Sequence, residues 1–192
     1  MAVGIIQDFA EGDAAKYDEV VRKMDLNGQM PSGGLFHVAG PGPDGGWRVV
    51  DVWESEAAFQ AFAEGSIGPL TAEAGMDRPQ VRTFEVHNTR DSARPHTDIR
   101  FFQVVHLDGM EADAFDSMDA EILGPGVPDA MLFHVNGSDG AGNWIVADAW
   151  TSKDARDAFI SERVMPVAGR NPAAPRIEDL EVHNTLEARS LV

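Results

Sequence analysis

Val3 to Phe9 is rich in β-branched and aromatic residues and reads as a strand. Glu11-Gly12-Asp13 forms a turn, with Asp13 placed to cap a helix in which Tyr17, Val20, Val21 and Met24 recur at helical spacing. A loop over 27–34 leads to a strand at Leu35–Ala39. The run Gly40-Pro41-Gly42-Pro43-Asp44-Gly45-Gly46 must turn, and Trp47–Trp53 returns as a third strand. Ser55 caps a second helix that carries Ala58, Phe59 and Phe62 inward. That helix is expected to end near Glu64-Gly65, with a short further turn near Leu70. Val81–His87 closes the pattern as a fourth strand. The order β-α-β-β-α-β is the ferredoxin-like unit.

The pattern then repeats, as strand Phe101–Val105, helix Glu111–Ile122, strand Ala130–Val135, strand Asn143–Trp150, helix Ser152 to about Met165, and strand Arg176–His183. His37 to His134, Trp47 to Trp144, Asp51 to Asp148, Trp53 to Trp150 and Phe62 to Phe159 are each separated by 97 residues, and His87 to His183 by 96. Constant offsets over such a length mark a tandem duplication. The expected units are 1–90 and 98–192, joined by a linker over Thr89–Thr97. Tyr17 aligns with Phe115 and Gln7 with Gln103.

Alternation separates two faces in each sheet. Ile6, Phe36, Val38, Val50, Val52, Phe84 and Val86 fall on one face of the first unit, with Phe102, Phe133, Val135, Leu180 and Val182 on the matching face of the second. Both sets are apolar and need cover. The expected fold is therefore α+β: two ferredoxin-like units whose antiparallel sheets pack face to face into a barrel within one chain, helices outside. The opposite faces carry Gln7, His37, Trp47, Asp51, Trp53, Glu85 and His87, and Gln103, His134, Trp144, Asp148, Trp150, Glu181 and His183. Beneath the helices these polar and aromatic sets suit a solvent-connected pocket better than a closed core.

Composition narrows the function. The 192 residues include no cysteine, which excludes disulfides, zinc–thiolate sites and cysteine nucleophiles. A net charge of −17 disfavours nucleic acid and anionic membranes as partners. No apolar run is long enough to span a bilayer, and the N-terminus lacks a basic signal-peptide region, so a cytoplasmic location is expected. The expected assembly is a monomer or a weak homo-oligomer.

His37 and Asp51, like His134 and Asp148, lie 14 residues apart and equidistant from their hairpin loops. Cross-strand pairing would place each imidazole against a carboxylate. Such a pair suits a general base; it also suits a purely structural hydrogen bond in a half-buried strand. Glu85 and His87 could join His37 and Asp51 around a metal, although strand four is not adjacent to strand two, and no metal is assigned. His96 and His106 read as surface residues. The halves differ at Tyr17, which becomes Phe115, and at Phe59, which becomes Arg156.

The strand-to-helix signatures Val52-Trp53-Glu54-Ser55-Glu56-Ala57-Ala58-Phe59 and Ala149-Trp150-Thr151-Ser152-Lys153-Asp154-Ala155 resemble the dimeric α/β-barrel superfamily, in particular its antibiotic-biosynthesis-monooxygenase-like branch. The resemblance implies a barrel that smaller relatives form as homodimers, with pockets between sheet and helices. It matches Trp53 and Trp150 to a pocket-facing Trp on strand three, and sets Gln7 and Gln103 near a strand-one Asn. Haem-degrading members carry a ligating His on helix two; Pro69-Leu70-Thr71-Ala72 and Pro166-Val167-Ala168-Gly169 offer none. The expectation is a cofactor-independent monooxygenase for an aromatic or polyketide-like small molecule. His37, Asp51, His134 and Asp148 would be catalytic. Gln7, Tyr17, Trp53, Glu85, His87, Gln103, Trp150, Arg156, Glu181 and His183 would contact substrate. A non-oxidative cyclase or isomerase using the same base, or a ligand-binding protein without turnover, are the rivals.

Overall fold

The computed structural model describes residues 1–124, 126–168 and 175–187; Gly169 of the helix-two comparison lies outside them. In the first half, strand β1 (Val3–Phe9) leads to helix α1 (Ala14–Met24), then to the hairpin β2 (Gly34–Pro41) and β3 (Trp47–Trp53). Helix α2 (Glu56–Phe62), a π-helical turn (Ala63–Ile67) and α3 (Gly68–Glu73) precede β4 (Gln80–Asp91). The second half gives β5 (Phe101–Asp108), α4 (Ala112–Leu123), β6 (Met131–Ser138) and β7 (Asn143–Trp150). It ends with α5 (Lys153–Phe159), a π-helical turn (Ile160–Val164), α6 (Met165–Ala168), β8 (Arg176–Glu181) and β9 (Asn184–Leu186).

The helix starts follow their caps. Asp13 accepts from the Lys16 backbone N–H at 2.9 Å, Ser55 from Ala58 at 3.2 Å and Ser152 from Ala155 at 3.1 Å. The second helix does not stop at Gly65. The N–H of Gly68 bonds the Ala63 carbonyl, five residues back, so the chain widens by one π turn and continues as α3. The second half repeats this, with the Met165 N–H on the Ile160 carbonyl.

The compact units are Met1–Thr83 with the chain from Leu180 onward, and Phe84–Asp179. They therefore differ from the repeats, 1–90 and 98–192, in exchanging closing segments. The first unit orders its strands β4-β1-β3-β2-β9, and the second β8-β5-β7-β6-β4. Strand β4 belongs to both because residues 80–83 fall in the first unit and 84–91 in the second. It extends past the expected end at His87, through residues assigned to the linker, because 85–91 pair antiparallel with β6. Likewise β9 pairs with β2, setting Ala39 opposite Asn184.

Ile6, Phe36, Val38, Val50, Val52 and Phe84 are buried as the alternation requires. His96 and His106 are buried as well, not on the surface. His96 bonds Asp91 at 3.1 Å and packs edge-on against Phe133. His106 lies 3.3 Å from Glu178. Among the described residues, no helix is long and apolar enough to cross a membrane.

Candidate active site

Both hairpins set histidine against aspartate. The registers pair His37 with Asp51 and His134 with Asp148. Both contacts run from imidazole Nδ1 to carboxylate Oδ1 at 2.7 Å. Nδ1–H therefore donates to the carboxylate, and Nε2 is the atom offered to the space beneath the helices. The second carboxylate oxygen accepts from a glutamine amide: Gln7 at 3.3 Å and Gln103 at 2.8 Å. These glutamines are not register equivalents. Gln103 lies opposite Asp148, whereas Ile5 lies opposite Asp51 and Gln7 opposite Val49. Two positions along the strand converge on the same carboxylate.

The two units differ at Nε2. In the first, the Tyr17 hydroxyl donates to His37 Nε2 at 2.7 Å, and its oxygen accepts from Asn184 Nδ2 at 2.8 Å. Burial, the largest influence, pushes the Tyr17 phenol far above its ordinary value, so it stays a neutral donor. The cavity beside this network measures only about 50 Å³. In the second unit Phe115 stands where Tyr17 does, stacked on Trp144 at 5.2 Å as Tyr17 packs on Trp47 at 5.2 Å. No phenol reaches His134. The second cavity measures about 350 Å³, lined mainly by apolar residues such as Leu107, Phe115, Met118 and Ile122, with His134, Asp119, Gln103 and Asp148 as its polar end.

Three polar residues around His134 have apolar counterparts in the first unit. Asn136 places Nδ2 3.0 Å from Nε2, and its Oδ1 is buried without a hydrogen-bond partner among the described residues. The 97-residue offset makes Ala39 its counterpart. Asp119 Oδ1 is 3.6 Å from Nε2, and Arg90 donates to Asp119 Oδ2 at 3.0 Å. Arg90 pairs with His134 in register as Leu186 pairs with His37. Val21, four residues after Tyr17 as Asp119 is four after Phe115, lines the first cavity. Burial raises the Asp119 carboxyl above its ordinary range, against the opposing charges of His134 and Arg90. For His134, burial alone would lower the pKa. The hydrogen bond and charge of Asp148, with the charge of Asp119, outweigh it, and the net shift is upward.

Of the other expected site residues, Trp53 lines the first cavity, packed on Phe59 and Phe62. Trp150 is fully buried against Phe159 and does not line the second cavity. Arg156 does not line it either. It is buried behind the site, donating to Gln103 Oε1 at 3.0 Å and to Asp179 at 2.7 Å, with its guanidinium over Phe101. That contact fixes the Gln103 amide so that Nε2 must face Asp148. His87 bonds Asp116 at 3.0 Å and meets Trp144 edge-on, and His183 does the same with Asp18 at 2.8 Å and Trp47. Both histidines tie closing segments to a helix instead of entering a cavity. The partner that His87 bonds is Asp116, not the His37–Asp51 pair. Glu85 and Glu181 are exposed. No group of three or more His, Asp or Glu is placed to hold a metal among the described residues.

Asn136, Asp119 and Arg90 were not singled out by sequence. The repeat offsets carried the signal, as polar-for-apolar exchanges at Ala39/Asn136, Val21/Asp119 and Leu186/Arg90.

Solved structures with the same chain course exist. A candidate monooxygenase from Lactobacillus acidophilus superposes with a TM-score of 0.68 at 13% identity, over 97% of this chain and 96% of that one. A candidate monooxygenase from Fusobacterium nucleatum gives a TM-score of 0.73 at 12% identity, over 97% and 94%. An anthrone oxidase-like protein superposes with a TM-score of 0.53 at 14% identity, over 100% of this chain and 95% of that one. No protein-family model matches the chain, and no curated protein matches it. At these identities the likeness carries the fold, which the strand-to-helix signatures had implied.

Proposed function

We propose that the chain is a small-molecule enzyme, a cofactor-independent monooxygenase whose working site is the cavity of the second unit. The observation that carries this reading is His134. Its Nδ1–H is pinned by Asp148, Asn136 Nδ2 lies 3.0 Å from its Nε2, and the residue lines a cavity of about 350 Å³ that is apolar except at that end. A base fixed in one tautomer at the polar end of an apolar pocket suits an aromatic or polyketide-like substrate with an acidic C–H or O–H. The likeness to candidate monooxygenases and to an anthrone oxidase-like protein supports the same class.

For an anthrone, Nε2 of neutral His134 takes the proton from the methylene carbon. The carbanion transfers electrons to dioxygen, and a C–O bond forms to give a peroxide. Cleavage of O–O with loss of the second C–H proton yields the quinone carbonyl and one water. One anthrone and one dioxygen thus become one quinone and one water. Asp148 stabilises the imidazolium formed on the way.

A non-oxidative isomerase or cyclase is the second reading, favoured by Asp119. With it, two titratable groups share the cavity, one able to remove a proton and the other to return it. Oxygen-electrode measurements with anthrone as substrate, coupled to detection of the quinone, test the first reading. Stoichiometric oxygen uptake and quinone are expected. Solvent deuterium entering a substrate without oxygen uptake would replace the oxygenase with the isomerase.

A further inference from the structure

Burying a guanidinium is costly unless its donors are used. Arg156, on α5, is 4% exposed and turns its donors both outward and inward. Outward, Nη2 donates at 2.7 Å to Asp179 on β8, a carboxylate that reaches solvent. Inward, Nη1 donates to Gln103 Oε1 at 3.0 Å. From Gln103 on β5 the contacts continue. Nε2 donates to Asp148 Oδ2 at 2.8 Å, and Asp148 Oδ1 accepts from His134 Nδ1 at 2.7 Å. Gln103, Asp148 and His134 are all buried. One line of side chains thus runs from the surface to the imidazole. The first unit lacks its outer half. The repeat offsets make Phe59 the counterpart of Arg156 and Thr83 that of Asp179, so cation and anion are exchanged together. Phe59 packs edge-on against Trp53 and has no donor for Gln7, whose contact with Asp51 is longer, at 3.3 Å.

We infer that Arg156 is a positioning residue for the base: by holding Gln103 Oε1 it commits the amide N–H to Asp148, and so fixes the carboxylate that orients His134. This deepens the proposed function and rests on its choice of His134 as the base.

The reason lies in the amide. Its two ends are nearly the same size, so shape does not decide which of them meets Asp148. The carbonyl end would set oxygen against oxygen, an arrangement that needs a proton between them and hence an uncharged Asp148. An uncharged Asp148 no longer draws the Nδ1 proton as a carboxylate does. A guanidinium carries donors and no acceptor, so Gln103 can meet Arg156 only with Oε1, and the NH₂ is left for Asp148. Arg156 does not line the cavity, so it acts on the base without touching a ligand.

The test uses the full chain and Arg156→Met, which is of similar reach and donates nothing. In wild type the Nδ1–H of His134, assigned by its loss in His134→Gln, should give a downfield proton resonance protected from exchange. In Arg156→Met it should move upfield and exchange faster with water, while the resonance of His37 stays. With anthrone as substrate, kcat should fall roughly tenfold, the scale of a slightly misplaced group, at nearly unchanged KM. Gln103→Met should give the same loss, and the double variant no more than either alone, because residues acting in one line are not additive. Arg156→Lys keeps a donor for Oε1 and should recover most of the signal. Should Arg156→Met fail to fold, Gln103→Glu serves as the second variant. It still meets Arg156 but offers Asp148 no N–H, and should shift the His134 resonance in the same way. An unmoved His134 resonance in the folded variants, an equal response at His37, or additive losses in the double variant would overturn the inference. The outcome is separable from the oxygenase reading. A shifted Nδ1–H in a protein that takes up no oxygen with anthrone sinks only the oxygenase, and turnover with an unmoved Nδ1–H sinks only the positioning role.

Discussion

Against the lowering effect of burial, Asp148 first and Asp119 after it raise the pH at which His134 can act as a base. The Asp119 carboxylate lies 3.6 Å from Nε2 and helps to hold the histidine above its ordinary value. A base must be neutral to accept a proton, so kcat/KM should rise with pH through the His134 pKa, at a pH above the ordinary histidine value. Asp119→Asn removes an anion, lowers that pKa and should move the rising limb to lower pH; a pH–rate profile checks it. The same upward shift has a stability consequence of fixed sign. The contribution from His134 is fully present below its unfolded-state pKa and is lost as pH rises through the higher folded-state value. Urea midpoints across that range should therefore fall more for wild type than for His134→Gln. At this scale the sequence was partly legible. The dyads followed from symmetric placement about two hairpin loops. Asp119 and Asn136 did not, because each falls on an otherwise ordinary helix or strand and gains meaning only beside its apolar counterpart in the other repeat. Trp150 and Arg156 show the limit of the two-face argument. Alternation fixes which face a side chain leaves, not whether it meets a cavity or a neighbour.

Strand and helix identities were legible from periodicity and caps, and the departures have local causes. The π turn over Ala63–Ile67 keeps the first unit's second helix going past its expected end, while the matching turn over Ile160–Val164 falls within the helix expected there. Residues of these turns and of the helices after them wall the cavities, as Ile67 and Thr71 do in the first unit and Ile160 and Val164 in the second. A widened turn leaves no signature in apolar spacing. The glycines Gly40 and Gly137 occupy equivalent places on β2 and β6, where a Cβ would press into the carbonyls of Glu181 and Glu85 respectively. The closing segments pass there at backbone distance, which only glycine permits. Gly137→Ala should cost about 1–3 kcal/mol through overpacking, measurable as a lowered urea midpoint. Unchanged stability would show that the β4–β6 approach relaxes freely.

At the scale of the molecule, the repeat fixed two ferredoxin-like units but concealed which closing segment serves which. Both closing segments have nearly the same sequence, so pattern alone assigns each to its own repeat. The structure gives the segment after Leu180 to the first unit and residues 84–91 to the second. A fragment of residues 1–90 lacks β9 and Asn184 and should aggregate or pair with a second copy; a stable soluble monomer by sedimentation would contradict the exchange. The duplication has also let the copies diverge, with Tyr17 on the imidazole of one His–Asp pair beside a small cavity and Asn136 on the imidazole of the other beside a larger one. Oxygen uptake with anthrone, compared for wild type, His37→Ala and His134→Ala, tests that division most directly. His134→Ala should lower kcat by about 10²–10⁴-fold, while folded His37→Ala retains activity within a few-fold. Equal loss in both, or loss confined to His37→Ala, would contradict the assignment of the site to the second unit.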